Sequence, residues 1–429
     1  MLFGIITSND CYNMTTATTH FYRASIQARI KSLNQLVINV ELVTLISQLI
    51  HQLQKERGIS NIVLASEGER FYQKVLIQHR LVDQLLDQLK PHLNQYYLDC
   101  AVTHPVNLLN SIARGLLNLE CLAQHRYKVL NQQHSTKKST QYYNQLIAYW
   151  IEVVFAAADV VEDPTVCRCL LSLFNLIQAK EYAGQERANG AIGFAETCFS
   201  KALSNQLEEL SHIQQTHFDY FTHFADKDTL SQWEEHRQSQ IVKDFNQIKT
   251  MMLSVEKCTV FSADISEVWF DLTTKRIDAL HQIESTLTKR LIGLANTQVD
   301  IEKKAIQKKK ITINEITQPA ASSSQLTNFN HIHLDQKNDN NEPNSSYKLF
   351  YELLNEQSET LENTQQELAE IKTVLEEQKW LNRAKLILMQ KYQITEAEAH
   401  RNLRKSAMNQ NKKIVDLAKK VIIELEGNL

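Results

Sequence analysis

From about Ser25 to Leu294 the apolar residues return every three or four positions. Leu42, Leu45, Ile46, Leu49, Ile50 and Leu53 form one such ladder, which places them on a single face of an amphipathic helix. Similar ladders are separated by short polar breaks at Pro91, His104-Pro105, His134 to Ser139 and Asp163-Pro164. The pattern predicts antiparallel helices packed as one or two bundles. No internal repeat organises them.

A second pattern begins beyond residue 297. Lys303, Lys304, Lys308, Lys309 and Lys310 form a basic run, and the stretch AASSSQLTNFNHIHLDQKNDNNEPNSS that follows is almost without aliphatics, so 298–345 reads as a linker. His331 and His333 fall inside it, where solvent is the expected neighbour. The lysine run reads as a solvated linker or helix end, with nucleic acid as the alternative. After the linker, Leu354, Leu361, Leu368 and Leu375 recur every seven residues. Their companions Gln357, Thr364, Ile371 and Gln378 are mostly polar, so either a weak coiled-coil seam or a single helix lying against its neighbours fits.

Charge then divides this helical region in two. Residues 346–378 carry two lysines against eight acids, a net of -6, whereas 379–420 carry eleven bases against three acids, a net of +8. A compact basic end is the electrostatic footprint expected for nucleic acid, with a protein or lipid face as the alternative. Thr395 and Glu398 have the T-x-x-E capping-box spacing that starts a new helix. Asn409 to Asn411 supplies a further break before Ile414, Leu417, Val421 and Ile422 resume helical spacing. The C-terminus is therefore read as a three-helix unit, with Trp380 and Tyr392 as core residues.

Composition fixes the class. Nine glycines and five prolines in 429 residues are far too few for a turn-rich β fold, so the chain is read as all-α. Hydrophobic residues at 43 % suffice for a core, and a net charge of -3 favours no partner. Seven cysteines without a CxxC pair suit reduced thiols, and Cys167 and Cys169 read as small core residues. With no long unbroken apolar run and no signal-like start, the expectation is a soluble cytoplasmic protein without a membrane partner.

Familiar catalytic spacings (GxSxG, P-loop, GxGxxG, HExxH) do not occur, so no enzymatic activity, cofactor or metal is expected. Two arginines stand out instead. Arg57 continues the apolar stripe of Ile50, Leu53, Asn61 and Leu64, and Arg187 shares a face with Ala183, Gly190 and Phe194. Three of the nine glycines (Gly184, Gly190, Gly193) surround Arg187, which suggests close helix approach or a cavity. A buried guanidinium needs an internal acid, such as Glu56, Glu181 or Glu186, or a bound planar oxyanion.

At these residues the sequence resembles two known families. LIHQLQKERGISN, QAKEYAGQERANGAIGFA and WFDLTTKRIDAL are similar to stretches of the NIT domain, a helical nitrate- and nitrite-sensing module. WLNRAKLILMQKYQITEAEAHRNLRKSAMNQNKKIVDLAKKVI resembles an ANTAR domain, a three-helix RNA-binding module. The order of the two is similar to that in nitrate-responsive antiterminators of bacterial nitrate-assimilation operons. The resemblance implies a sensory domain over 30–297, a linker over 298–345, an acidic connecting helix over 346–378 and an RNA-binding domain over 379–425.

It also implies that nitrate or nitrite binds at Arg57 and Arg187 and frees the RNA-binding domain to grip paired hairpins in leader mRNA. The family places an arginine shortly before the WFDLTTKRID stretch. The nearest equivalent here is Lys249, a point charge in place of a forked donor, with Arg237 a poorer match further upstream. Arg383, Lys385, Arg404, Lys405 and Lys412 are the implied RNA contacts, while Ala384 and Ala407 are read as packing residues. In the resting state the acidic helix or the sensory bundle would cover the +8 end, and the protein would be a homodimer. The rival reading is a helical signalling or scaffold protein whose buried arginines are structural and whose basic end binds protein or DNA.

Overall fold

Thirteen α-helices and no strands make up the described residues of this computed structural model, which are 8–99, 106–195, 199–253, 263–317 and 345–426. The all-α expectation holds. The helices are α1 (Ser8–Ala65), α2 (Tyr72–Asp99), α3 (Val106–Glu120), α4 (Leu122–Leu130), α5 (Thr136–Asp159), α6 (Pro164–Ala195) and α7 (Lys201–Phe224). They continue with α8 (Lys227–Gln238), α9 (Gln240–Leu253), α10 (Ala263–Thr317), α11 (Ser345–Tyr392), α12 (Glu396–Gln410) and α13 (Ile414–Glu426).

Two compact units result. One comprises residues 1–36 and 295–367, where Arg29 pairs with Glu302 at 2.7 Å. The other comprises 37–294 and 368–429 and holds both the arginine stripe and the basic end. In this larger unit the predicted ladder is buried: Leu42, Ile46, Leu49, Ile50 and Leu53 are all at most 1 % exposed. The segment Arg23–Ala65 is apolar and long enough to cross a membrane, yet 61 % of its most apolar window is buried within the protein, as in a core helix. Helix α6 is buried almost all round, from Leu170 through Ile177 to Tyr182 and Ala183, and packs on both α5 and α7.

Helix boundaries follow local chemistry. The Ser135 hydroxyl accepts from the Lys138 amide at the start of α5, and the Asp163 carboxylate accepts from the Val166 amide behind Pro164 at the first position of α6. Thr395 and Glu398 form both arms of the capping box that opens α12. Asn411 closes α12 in the left-handed conformation (φ 51°, ψ 43°).

Two boundaries differ from the sequence reading. Pro91 does not break α2. It is exposed, so the carbonyl of Asp87 that loses its partner faces water, while buried Val82, Leu89 and Tyr96 hold the helix together on the other face. Helix α10 runs past 297 to Thr317, through the lysine run, because nothing there interrupts helical propensity. The His104-Pro105 break, His331 and His333 lie outside the described residues.

Helix α11 is continuous from the acidic to the basic region, with no break at 379. Along its heptads, Leu368 and Leu375 are buried while Leu361 is 49 % exposed. The C-terminal helices share a core of Ala384, Leu388, Ala399, Leu403, Ala407, Leu417, Ala418 and Ile422, with Trp380 packed against it. Ala384 and Ala407 are thus packing residues, as read. Tyr392, read as core, is 57 % exposed at the end of α11. Cys167 and Cys169 are free and buried.

Candidate anion site and nucleic-acid interface

Arg57 is 3 % exposed, and its fork grips one carboxylate. Its Nη1 donates to Oε1 of Glu181 and, at 2.5 Å, to Oδ1 of Asn144, while Nη2 donates to Oε2 of Glu181 at 3.1 Å. Glu181 also accepts from Gln54 (2.9 Å) and Gln185 (3.0 Å). A hydrogen-bonded pair of this kind is what a buried guanidinium requires, since an uncompensated charge there would cost several kcal/mol.

Arg187 lacks that compensation. Its Nη1 donates to the Thr274 hydroxyl at 3.0 Å and its guanidinium lies 5.2 Å from the centre of the Phe270 ring, but among the described residues no carboxylate pairs with it. Burial and the nearby charge of Arg57 pull its pKa down to about 10. The two arginines are interleaved through glycine. A Cβ on Gly184 of α6 would fall 2.7 Å from Nη2 of Arg57, and one on Gly58 of α1 would fall 3.1 Å from Nη2 of Arg187. Each guanidinium therefore rests on the partner helix at the point where that helix has no side chain. Gly190 plays the same part for Trp269, whose indole would lie 2.5 Å from an added Cβ and whose N–H donates to the Arg187 carbonyl at 3.0 Å. The glycine cluster marks close helix approach.

Lys249 is placed otherwise. Its ammonium pairs with Glu186 at 2.6 Å, and Arg276 pairs with the other oxygen of the same carboxylate at 3.3 Å. Although burial pushes the Glu186 carboxyl up, Lys249 and Arg276 together hold it below its ordinary value. Arg237 is exposed and pairs with Glu234. Glu56, one of the acids considered for the stripe arginines, instead takes Arg126 at 2.8 Å and the Tyr143 hydroxyl at 2.7 Å.

Sequence reasoning missed Arg276. It sits in the buried stripe Trp269, Thr273, Arg276, Leu280, Ile283, at spacings of three and four, so the rule that singled out Arg57 applies to it as well. It also missed Lys180 and Glu284, a buried pair joined by Ser47 at 2.6 Å and His281 at 3.2 Å.

The basic end meets the sensory helices through some of its expected RNA contacts. Lys385 is 3 % exposed and donates to Glu396 at 2.7 Å and to the Tyr182 hydroxyl of α6 at 3.4 Å; Tyr182 itself donates to Glu396. Glu209 of α7 accepts from Arg404 at 3.0 Å and lies 2.8 Å from Nδ1 of His400. Lys379 pairs with Asp159 of α5 at 2.8 Å. Burial pushes the Glu209 and Glu396 carboxyls up, but their cationic and hydrogen-bonding neighbours leave both below their ordinary values. Burial pulls the His400 imidazole down, helped by Lys385 and His212 and opposed by Glu209. Arg383, Lys405 and Lys412 are exposed.

This contact is loosely packed. A cavity of about 410 Å³ lies along it between α7 and the C-terminal helices, lined among others by His212, Tyr220, Gln378, Arg404 and Val415. Among the described residues, the Gln378 side-chain oxygen is buried without a hydrogen-bond partner there. A seam crossed by ion pairs and incompletely filled is suited to opening more than a core is.

Comparison with known proteins locates both regions. Residues 48–292 match the family model for nitrate and nitrite sensing (NIT), and residues 369–422 match the model for the ANTAR domain. The chain is 27 % identical over 417 residues to the nitrate regulatory protein of Klebsiella oxytoca, covering 96 % of this chain and 97 % of that one. Its fold is similar to the solved structure of the NasR transcription antiterminator, with a TM-score of 0.59, 25 % identity, and coverage of 95 % of this chain and 98 % of the other.

Proposed function

The chain belongs to the nitrate- and nitrite-sensing family, and on that premise we propose that a nitrate or nitrite ion binds between Arg57 and Arg187 to release the RNA-binding end from the sensory helices. It is a nitrate-responsive transcription antitermination regulator, with nitrate as ligand and RNA as partner. The observation that carries the site is a charge imbalance. Two guanidiniums rest against each other's helices and only Arg57 has a paired carboxylate, so one positive charge is left that a monovalent anion would balance. Asp278, the acid that acts most strongly on Arg187, ahead of Glu181, is exposed, so solvent screens it. Lys249 acts from the neighbouring position, through Glu186, one residue before Arg187.

The contacts between the basic end and the sensory helices describe a closed arrangement. Lys385 is buried against Tyr182 and Glu396, and Arg404, 39 % exposed, is engaged by Glu209, while Arg383, Lys405 and Lys412 are exposed. Of the two elements that could cover the basic end, the sensory bundle supplies Tyr182, Glu209 and Asp159, and the acidic stretch supplies Glu376 to Lys379. Release would restore a continuous basic face for hairpins in leader mRNA, read by backbone charge and unstacked loop bases.

We propose the sensory domain at 30–297, a linker at 298–345 whose start is the end of α10, the acidic connecting helix at 346–378 and the RNA-binding domain at 379–425. The protein acts as a cytoplasmic homodimer without catalytic activity or cofactor, the exposed Leu361 of the α11 heptads supporting a seam between copies. Calorimetry with nitrate, nitrite and chloride tests the sensory half. Wild type should bind the first two, and Arg57→Ala should bind neither; equal heats from wild type and variant would refute the site.

A further inference from the structure

Glu181 and Tyr182 are consecutive residues of α6, and they face the two ends of the system. Glu181 fills the fork of Arg57. Tyr182, fully buried, packs with Leu210, Ile213 and Ala397 and reaches Glu396 and Lys385 with its hydroxyl. We propose that Glu181 is a built-in ligand that an entering anion displaces from Arg57, and that Tyr182 reads this displacement and loosens its hold on the Lys385–Glu396 pair.

The first half rests on shape. A carboxylate offers a guanidinium two oxygens on one planar atom, as nitrate and nitrite do, so all three compete for the same pair of parallel donors. Both terminal nitrogens of Arg57 are committed to Glu181, and Asn144 takes more of Nη1. An anion that uses the fork must therefore replace Glu181, which keeps Gln54 and Gln185 as donors once it lets go.

The second half rests on connectivity. Helix α6 is packed on all sides and cannot absorb a new side-chain position at residue 181 by flexing loosely. Its next residue is fully buried, with the Tyr182 ring packed against Leu210 and Ile213 of α7 and Ala397 of α12. A small rotation of α6 that follows Glu181 away from Arg57 moves the Tyr182 hydroxyl relative to Glu396. Tyr182 is thus a positioning residue, acting on Lys385 and Glu396 from outside any RNA contact.

This inference depends on the anion site proposed above, and the tests separate the two. Glu181→Gln removes the competing charge while keeping the shape, so its nitrate dissociation constant in calorimetry should fall about tenfold or more. Tyr182→Phe keeps the ring and removes the hydroxyl. It should tighten nitrate-free binding of a labelled RNA carrying two tandem stem-loops by about tenfold. Because nitrate favours the same released form, raising its population should also tighten nitrate binding, at a site Tyr182 does not touch. A merely structural Tyr182 would leave nitrate affinity unmoved. Unchanged or weaker nitrate binding in Glu181→Gln overturns the built-in ligand, and unchanged nitrate affinity in Tyr182→Phe overturns the relay, even if Glu181→Gln does not fold. Absence of nitrate binding to wild type would instead refute the anion site itself.

Discussion

Arg57 and Arg187 are held by different means, and their substitution should read differently. Arg57→Lys replaces two parallel donors by a point charge, and nitrate affinity should fall at least tenfold, about 1.4 kcal/mol, in calorimetry. Gly184→Ala should act on the same site from the opposite helix, since the added methyl meets Nη2 of Arg57 at 2.7 Å and pushes the guanidinium aside. Weakened nitrate binding with little change in fold is the expected signature; undiminished affinity would show that the guanidinium position is not critical. Gly190→Ala meets the rigid Trp269 indole, not a flexible side-chain end, and should cost about 1–3 kcal/mol in denaturant unfolding. These positions were legible in the sequence because polar residues interrupt an apolar stripe and glycines collect where side chains must be absent. The partner of each arginine was not. Pairing Arg57 with Glu181, and Glu56 with Arg126, depends on how helices far apart in the chain are turned toward one another, which helical spacing within one segment does not encode.

At the scale of helices, the docking of α12 on α7 should be sensitive to pH. His400 is packed against Glu209 and His212 of α7 and Lys385 of α11, and its imidazole is pulled below its ordinary value. A group depressed in the docked form stabilises docking above its free value and loses that contribution as pH falls through the docked one. The depressed carboxyls of Glu209 and Glu396 add a further loss of the same sign at more acid pH. Nitrate-free RNA binding should therefore strengthen as pH drops below about 6.5, the ordinary histidine value. His400→Gln should flatten that rise, and an identical pH slope in the variant would remove His400 from the account. Glu209→Gln should raise nitrate-free RNA affinity at neutral pH by loosening both Arg404 and His400.

Element ends were mostly readable, because caps are local: Thr395 with Glu398, and Asn411, behave as their spacing predicts. Pro91 misled because a proline's cost depends on whether the orphaned carbonyl faces water, a property of the assembled bundle. The continuous α11 shows the same limit at larger range, since a change in charge sign need not coincide with a change in backbone.

For the whole molecule, what matters is that one helix, α6, contributes to both the proposed anion site and the contact with the basic end. Charge asymmetry in the sequence indicated that the basic end would be covered in the resting state, and left open whether the acidic helix or the sensory bundle would do it. The geometry favours Tyr182, Glu209 and Asp159, acids and a phenol on three sensory helices that no one-dimensional charge count distinguishes from other surface residues. If α11 also forms a seam between copies, Leu361→Glu should shift sedimentation of the full chain toward the monomer; an unaltered profile would place the dimer contact elsewhere.

The central claim is that an anion at Arg57 and Arg187 frees the basic end. Its most direct test is the affinity of the full-length protein for a two-hairpin RNA at one salt concentration, with and without millimolar nitrate, alongside Arg57→Ala. The account predicts RNA binding at least tenfold tighter with nitrate in wild type and no nitrate response in the variant. RNA binding indifferent to nitrate in wild type, or an equal response in both proteins, would contradict it.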